Sequence, residues 1–254
     1  MKKFMALVAA ALVSLSVVGG AVAITNGVHD GSDHPNVGAF LVQRPSGWRV
    51  LCTGALVAPR VFLTASHCTS YAEANGWTVG VTFQSTDAEH PTTVLSGHAV
   101  TNPLYHAPYQ HDVSIILLDH AQPGPYVGLP SVGLLDDLKK AGSLDASDFV
   151  NVGYGTHEAV NGPGGLDFPF DGDRWKSVSS YSALNKDVIH LHQKDNKDEG
   201  GTGYGDSGGP TLLNGVAIAV VSTGDVPCWS TQVNTRTDTQ EAADFLHQYL
   251  DLTE

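Results

Sequence analysis

The stretch Gly203-Tyr204-Gly205-Asp206-Ser207-Gly208-Gly209-Pro210 constrains this chain more than any other. Glycines free to take φ > 0, closed by a proline, exclude a helix and demand a tight turn. Such a turn lifts one serine hydroxyl and several backbone N–H groups into a single small space. That is what acyl transfer needs: a nucleophile beside donors preset for the charge of a tetrahedral intermediate, each donor contributing about 2.7–4 kcal/mol. The spacing Gly203-x-Gly205-x-x-Gly208 also fits a dinucleotide fingerprint, which must follow a strand and open a helix. Here Pro210 and the alternating run from Leu212 to Val221 follow and read as a hairpin, so the nucleotide reading is set aside. A plain glycine-rich surface turn is the remaining competitor, and the rest of the chain weighs against it.

Residues 1–23 carry Lys2 and Lys3, an apolar run from Phe4 to Val18, and a small-residue end at Ala21-Val22-Ala23. This is the pattern of a secretory signal with an A-x-A cleavage site, too short and wrongly flanked for a membrane span. Taking those 23 residues and their two lysines from the 254 leaves 231 residues, with 11 basic against 26 acidic side chains. A surface so acidic repels nucleic acid and anionic membrane, and neither is expected as a partner. No Asn-x-Ser/Thr acceptor occurs, so a bacterial exported protein is the simpler reading. Three cysteines, Cys52, Cys68 and Cys228, leave one unpaired in an oxidising compartment. Cys52 with Cys68 is the preferred pair, because both sit in one short section that reads as adjacent strands. Cys228 is then a small buried apolar residue.

Short β-type runs recur with turn residues between them, at 37–43, 50–58, 61–65, 77–83, 92–100 and 113–118, which suggests a sandwich or barrel. The connector Ala121-Gln122-Pro123-Gly124-Pro125 divides the chain into halves, 24–125 and 126–254. The second half repeats the β character at 149–154, 175–181, 188–192, 210–213, 216–222 and 232–236, and Gly155 to Gly172 reads as a long loop. The spacing Ala242, Phe245, Leu246, Tyr249 predicts a terminal helix with one apolar face, and Asp238-x-x-Glu241 a capping box.

A serine hydroxyl needs a base to take its proton and a third group to hold that base. Among twelve histidines, His67 stands out in Leu63-Thr64-Ala65-Ser66-His67-Cys68, at the end of an apolar strand and beside an anchoring cysteine. The orienting acid should be buried, where its charge is poorly screened. Asp112 precedes the apolar run Val113 to Leu118, where the chain enters a core, and is preferred over Asp119, which closes that run.

The pieces Thr64-Ala65-Ser66-His67-Cys68, His111-Asp112-Val113-Ser114-Ile115 and Gly205-Asp206-Ser207-Gly208-Gly209-Pro210, in the order His, Asp, Ser, resemble the chymotrypsin/trypsin-like serine endopeptidases. The resemblance spans essentially the whole mature chain. It implies an all-β fold of two six-stranded antiparallel barrels with a C-terminal helix, and a secreted, monomeric hydrolase acting on protein or peptide substrates without a cofactor or metal. By position it implies Ser207 as nucleophile, His67 as general base and acid, and Asp112 as orienting carboxylate. Gly205 and Ser207 would supply the oxyanion N–H groups, while Ser222, Thr223 and Gly224 would form the substrate edge, Ser222 also supporting Asp112. Gly153-Tyr154-Gly155 matches a Gly-Trp-Gly of the family with tyrosine for tryptophan. Ile24-Thr25-Asn26-Gly27 resembles the family's freed N-terminus, with Asp206 as the partner of the Ile24 amine.

The pattern departs in two places. Gly203 stands where the family usually has a cysteine bridged to the position of Cys228, so the pocket wall lacks its bridge. Gly201 stands where trypsin-like members carry a selecting aspartate; with Gly224 and Gln232 it suggests an uncharged pocket for apolar or small residues, unless Glu199 or Asp225 reaches in. Two other functions compete: a catalytically silent relative that binds a partner, and a metalloenzyme built on His190 and His192 or on His106 and His111. The first would show a substitution in the triad or glycine loop, and none is seen. The second lacks HExxH, since His157-Glu158 is followed by Ala159-Val160-Asn161.

Overall fold

The structure is a computed structural model that describes residues 24–193 and 199–252. The expected leader, 1–23, lies outside the described residues. In the first half, β1 (Val28–His29) is followed by β2 (Val37–Arg44), β3 (Gly47–Ala58), β4 (Val61–Thr64), helix α1 (Ser66–Ala74), β5 (Val79–Thr82), β6 (Leu95–Val100) and β7 (Ser114–Leu118). These strands close a barrel in the order β2-β3-β4-β7-β6-β5. Val61–Leu63 of β4 and Ile115–Leu118 of β7 are apolar without interruption because both faces of these strands are covered. Phe62, Ile116 and Leu118 pack in one cluster with Phe40, Val81 and the disulfide cysteines. Val61, Leu63 and Ile115 turn the other way, into a second cluster with Val152, Leu212 and Val220 of the other half and Phe245 of the C-terminal helix.

The second half runs α2 (Leu134–Lys140), a 3₁₀ turn Leu144–Ala146, β8 (Asp148–Gly153), β9 (Val160–Gly162), β10 (Gly165–Asp167), β11 (Trp175–Leu184), β12 (Val188–His192), β13 (Pro210–Leu213), β14 (Val216–Gly224), β15 (Thr231–Arg236) and α3 (Gln240–Leu246). Six of these strands close a second barrel, β8-β11-β12-β15-β14-β13, and β1 adds to β11 through Val28 and His29. Strand β1 thereby ties the start of the described chain to the second barrel.

Three local expectations change. The Gly155–Gly172 stretch carries a small antiparallel hairpin, β9 against β10. Cys68 sits in α1 rather than on a strand, though it bridges Cys52 as expected, with Cα atoms 6.4 Å apart. The terminal helix buries Ala242, Phe245 and Leu246, but its cap is Thr239, whose side chain accepts the Ala242 N–H at 3.2 Å. Asp238 turns inward instead, accepting from Arg236 Nε at 2.7 Å and from the Leu135 N–H at 2.7 Å. A buried carboxylate needs a cation more than a helix needs this cap, because an unpaired buried charge is the costlier defect. Helices α1 and α2 gave little warning, since Ala65 and Gly133 at their N-caps provide no side-chain acceptor.

Candidate active site

Strand β4 ends at Thr64 and α1 begins two residues later, so His67 is held at a strand-to-helix junction clamped by the disulfide at Cys68. Asp112 is fully buried just ahead of β7. Its Oδ1 accepts the His67 backbone N–H at 2.7 Å, and its Oδ2 lies 2.8 Å from His67 Nδ1. From β14 the Ser222 hydroxyl donates to Oδ2 at 2.5 Å. A carboxylate facing Nδ1 fixes the proton on that nitrogen and leaves Nε2 of the neutral ring as an acceptor. Nε2 has Cys68 Sγ at 3.5 Å, and a bridged sulfur has no proton to give it. The Tyr109 ring meets the imidazole edge to face at 5.9 Å.

The serine loop can be followed peptide by peptide. The Tyr204 C=O accepts the Thr156 N–H at 2.7 Å, the Gly205 C=O accepts the Thr53 hydroxyl at 2.9 Å, and the Asp206 C=O accepts the Gly209 N–H at 2.8 Å. The Ser207 C=O accepts the Thr53 N–H at 2.9 Å. Gly205, at φ +101°, and Gly208, at φ +79°, take conformations that disfavour any side chain. A Cβ on Gly208 would also come within 2.2 Å of Thr64 Oγ1. Among the described residues, the N–H groups of Gly205 and Ser207 donate to no protein acceptor, nor does that of the exposed Tyr204. No hydrogen bond joins Ser207 to His67, but both line one cavity of about 330 Å³. Catalytic hydrogen bonds commonly tighten only when substrate is bound.

That cavity is lined further by Thr202, Val221, Ser222, Thr223, Gly224, Asp225 and Cys228. Gly201 is not on it. It is buried against Gln193, whose Oε1 would meet a Cβ there at 2.0 Å, and Thr202 supplies the wall in its place. Gln232 is likewise buried behind the wall, accepting the Thr202 hydroxyl at 2.8 Å. Asp225 lines the cavity; burial works against its charge, but N–H groups of Thr231, Trp229 and Ser230 outweigh it and hold its carboxyl below the usual range. Glu199 faces a separate cavity with Thr25 and Asn26. Cys228 is unbridged, and burial, with Asp206 and Asp225 nearby, pushes its thiol up to about 12, far from a reactive thiolate.

A family model described as Trypsin matches residues 27–246. The chain belongs to the trypsin family. It is accordingly a serine endopeptidase, and its two closed barrels with a C-terminal helix are the chymotrypsin-like fold. Among solved structures it is similar to one described as HL collagenase at 1.7 Å resolution, with TM-score 0.68 and 18% identity over 89% of this chain and 97% of that one. At that identity the likeness speaks for the fold. Comparison with curated proteins gives no match.

In this trypsin-family chain Asp206 is wholly buried, its Oδ1 accepting the Gly155 N–H and its Oδ2 the Gly203 N–H, both at 2.8 Å. Burial, opposed by those two donors, raises its carboxyl to about 7. Ile24 is also wholly buried; its N–H, here inside a continuous chain, donates to the Thr156 C=O at 3.3 Å, one residue beyond the Gly155 that serves Asp206. The histidines weighed as metal ligands do not converge. Among the described residues the sole grouping of His, Cys, Asp and Glu ligand atoms is Cys52, His67 and Cys68, and its two sulfurs are spent on the disulfide. Sequence reasoning missed Thr53, Tyr109, Thr202 and Val226. Thr53 and Tyr109 reach the site only where distant strands and loops meet, whereas Thr202 and Val226 are chain neighbours of the expected Gly201 and Asp225 in loops that carry no period to mark them.

Proposed function

We propose that this endopeptidase is exported, cleaved after Ala23, and hydrolyses peptide bonds through a Ser207 acyl-enzyme with His67 and Asp112 completing the triad. The observation that carries the reading is the His67–Asp112–Ser222 hydrogen-bonded set opening on the same cavity as Ser207. Ser207 Oγ attacks the scissile carbonyl carbon while His67 Nε2 takes its proton. The tetrahedral oxygen accepts the N–H groups of Gly205 and Ser207. His67 then protonates the leaving amine as the C–N bond breaks, and water, deprotonated by the same nitrogen, releases the acid. Asp112 holds the ring in the tautomer that makes Nε2 the acceptor and stabilises the imidazolium, while Ser222 fixes the carboxylate.

Activation would follow from cleavage. Ile24 takes φ +56° inside the continuous chain, a conformation that a β-branched residue tolerates poorly. At an N-terminus that dihedral no longer exists, and the freed amine, bonded to the Thr156 carbonyl one residue beyond the Gly155 that serves Asp206, would turn to become the counter-charge the carboxylate lacks. The uncharged wall from Val221 to Gly224, with the Asp225 carboxylate engaged by backbone donors, favours apolar or small side chains in the primary pocket, and a monomer suffices for the whole site.

A fluorophosphonate probe tests the central claim. It should label the mature protein, and labelling should vanish in Ser207→Ala and fall to background in His67→Ala. Labelling elsewhere, or none in the wild type, refutes the triad. Intact mass tests the activation step, which fails if the active protein begins well away from Ile24.

A further inference from the structure

We infer that Thr53, a first-barrel residue that touches no substrate, is a positioning residue for the oxyanion donors of the serine loop. The inference rests on the proposed roles of Gly205 and Ser207. Those donors belong to two peptide units, Tyr204–Gly205 and Asp206–Ser207, separated by the single peptide Gly205–Asp206. The outer units are held through their carbonyls by Thr156 and Gly209 N–H groups. The middle one is held at its carbonyl by the Thr53 hydroxyl at 2.9 Å, while its N–H reaches the Gly203 C=O at 3.2 Å. Gly205, unrestrained by a Cβ and at φ +101°, is the joint on which this middle peptide would turn.

The sense of the Thr53 hydroxyl is fixed by its neighbours. Oγ1 accepts the Tyr154 N–H at 3.0 Å, which can only donate, so its proton goes to the Gly205 carbonyl, which can only accept. Thr53 is itself immobile. It is fully buried in β3, its N–H donates to the Ser207 C=O at 2.9 Å, and its C=O accepts the Thr64 hydroxyl at 2.8 Å. One residue of the first barrel thus grips the serine loop at two points and the second barrel at a third. Without the hydroxyl the middle peptide can rotate about Gly205 and carry the flanking N–H groups off the developing oxyanion. The effect falls on the transition state, since the ground-state carbonyl depends far less on those donors.

The test compares wild type, Thr53→Val, which removes the hydroxyl and keeps the volume, and Thr53→Ser, which keeps the hydroxyl. Active sites are counted by fluorophosphonate titration, so that a misfolded fraction does not enter kcat. Losing one oxyanion donor outright lowers kcat about 10²–10³-fold. Loosening two without removing either should lower the Thr53→Val kcat about 10- to 100-fold, with KM within about twofold. A peptide aldehyde, whose adduct carries the tetrahedral oxygen, should weaken in parallel, whereas a product peptide acid should not, and Thr53→Ser should stay near wild type. Equal kcat per titrated site in Thr53→Val and wild type, an equal loss in Thr53→Ser, or an unchanged aldehyde affinity overturns the inference. If Thr53→Val does not fold, Thr53→Ala is judged by the same criteria. An untitratable wild type refutes the triad reading and with it this inference; a titratable one with an unaffected Thr53→Val refutes the role of Thr53 alone.

Discussion

Asp206 offers the sharpest test, because its environment converts directly into a pH-dependent stability. The carboxylate is fully buried, faces two backbone N–H groups, and has no cation beside it among the described residues. Burial lifts it from 3.8 to about 7, so the folded chain holds a proton that the unfolded chain releases near pH 4. Stability from this group is therefore greatest below about pH 4 and is lost as pH rises to 7, by three units at roughly 1.4 kcal/mol each, or ~4 kcal/mol. Asp206→Asn removes the titration. In a chain extended upstream of Ile24, the unfolding free energy of the variant minus that of the parent should move by ~4 kcal/mol in favour of asparagine between pH 4 and pH 7.5. Part of that gain is offset at every pH, since an amide has one acceptor for two N–H donors. In a chain beginning at Ile24 the amine supplies the missing charge, so the same difference should be nearly flat, and Asp206→Asn should destabilise at neutral pH. Urea denaturation followed by tryptophan fluorescence, in a Ser207→Ala background to prevent autolysis, reads both. An identical pH profile in the two forms would remove the reason for pairing Ile24 with Asp206.

Asp112→Asn should leave KM nearly unchanged and lower kcat about 10⁴-fold, the loss described for a chymotrypsin-type triad, because an amide no longer holds Nδ1–H; steady-state kinetics on a peptide substrate checks this. Replacing Cys52 and Cys68 by serine opens the loop of sequence separation 16 and should lower the unfolding free energy by roughly 3 kcal/mol in urea. Arg174→Leu should lose about 3 kcal/mol, since it leaves buried Asp30, now 2.7 Å from Arg174 Nε, with His34 as its remaining partner and strands the carbonyls of Gly31, Val37 and Phe83. Adding Asp30→Asn should recover part of that loss, and no recovery would mean that His34 alone compensates the buried charge.

The apolar runs Val61–Leu63 of β4 and Ile115–Leu118 of β7 were legible because a strand covered on both faces is apolar at consecutive positions, and the helix α3 because its apolar residues return every three to four places. The hairpin β9–β10 was not: its strands are three residues long and mostly exposed, so no burial pattern betrays them. Helix α1 was hidden for another reason: it is short, it is uncapped by any side chain, and its buried face is made of Ser66, Cys68, Thr69 and Ala72 with no large apolar residue to mark a helical period. Thr202 rather than Gly201 on the cavity is a matter of one residue of register, and a loop carries no period from which register could be read.

What the sequence determined alone is chemistry confined to a few consecutive residues: the glycine turn that exposes Ser207, the strand end before His67, the acid where the chain dives inward at Asp112, and the apolar patterns that demand strands. What only the tertiary structure decided is which groups meet. Thr53 reaches Gly205 across 152 positions and Ser222 reaches Asp112 across 110. Local patterns report the backbone's own preferences, whereas a hydrogen bond between distant residues exists only after both barrels have closed and brought their facing strands together.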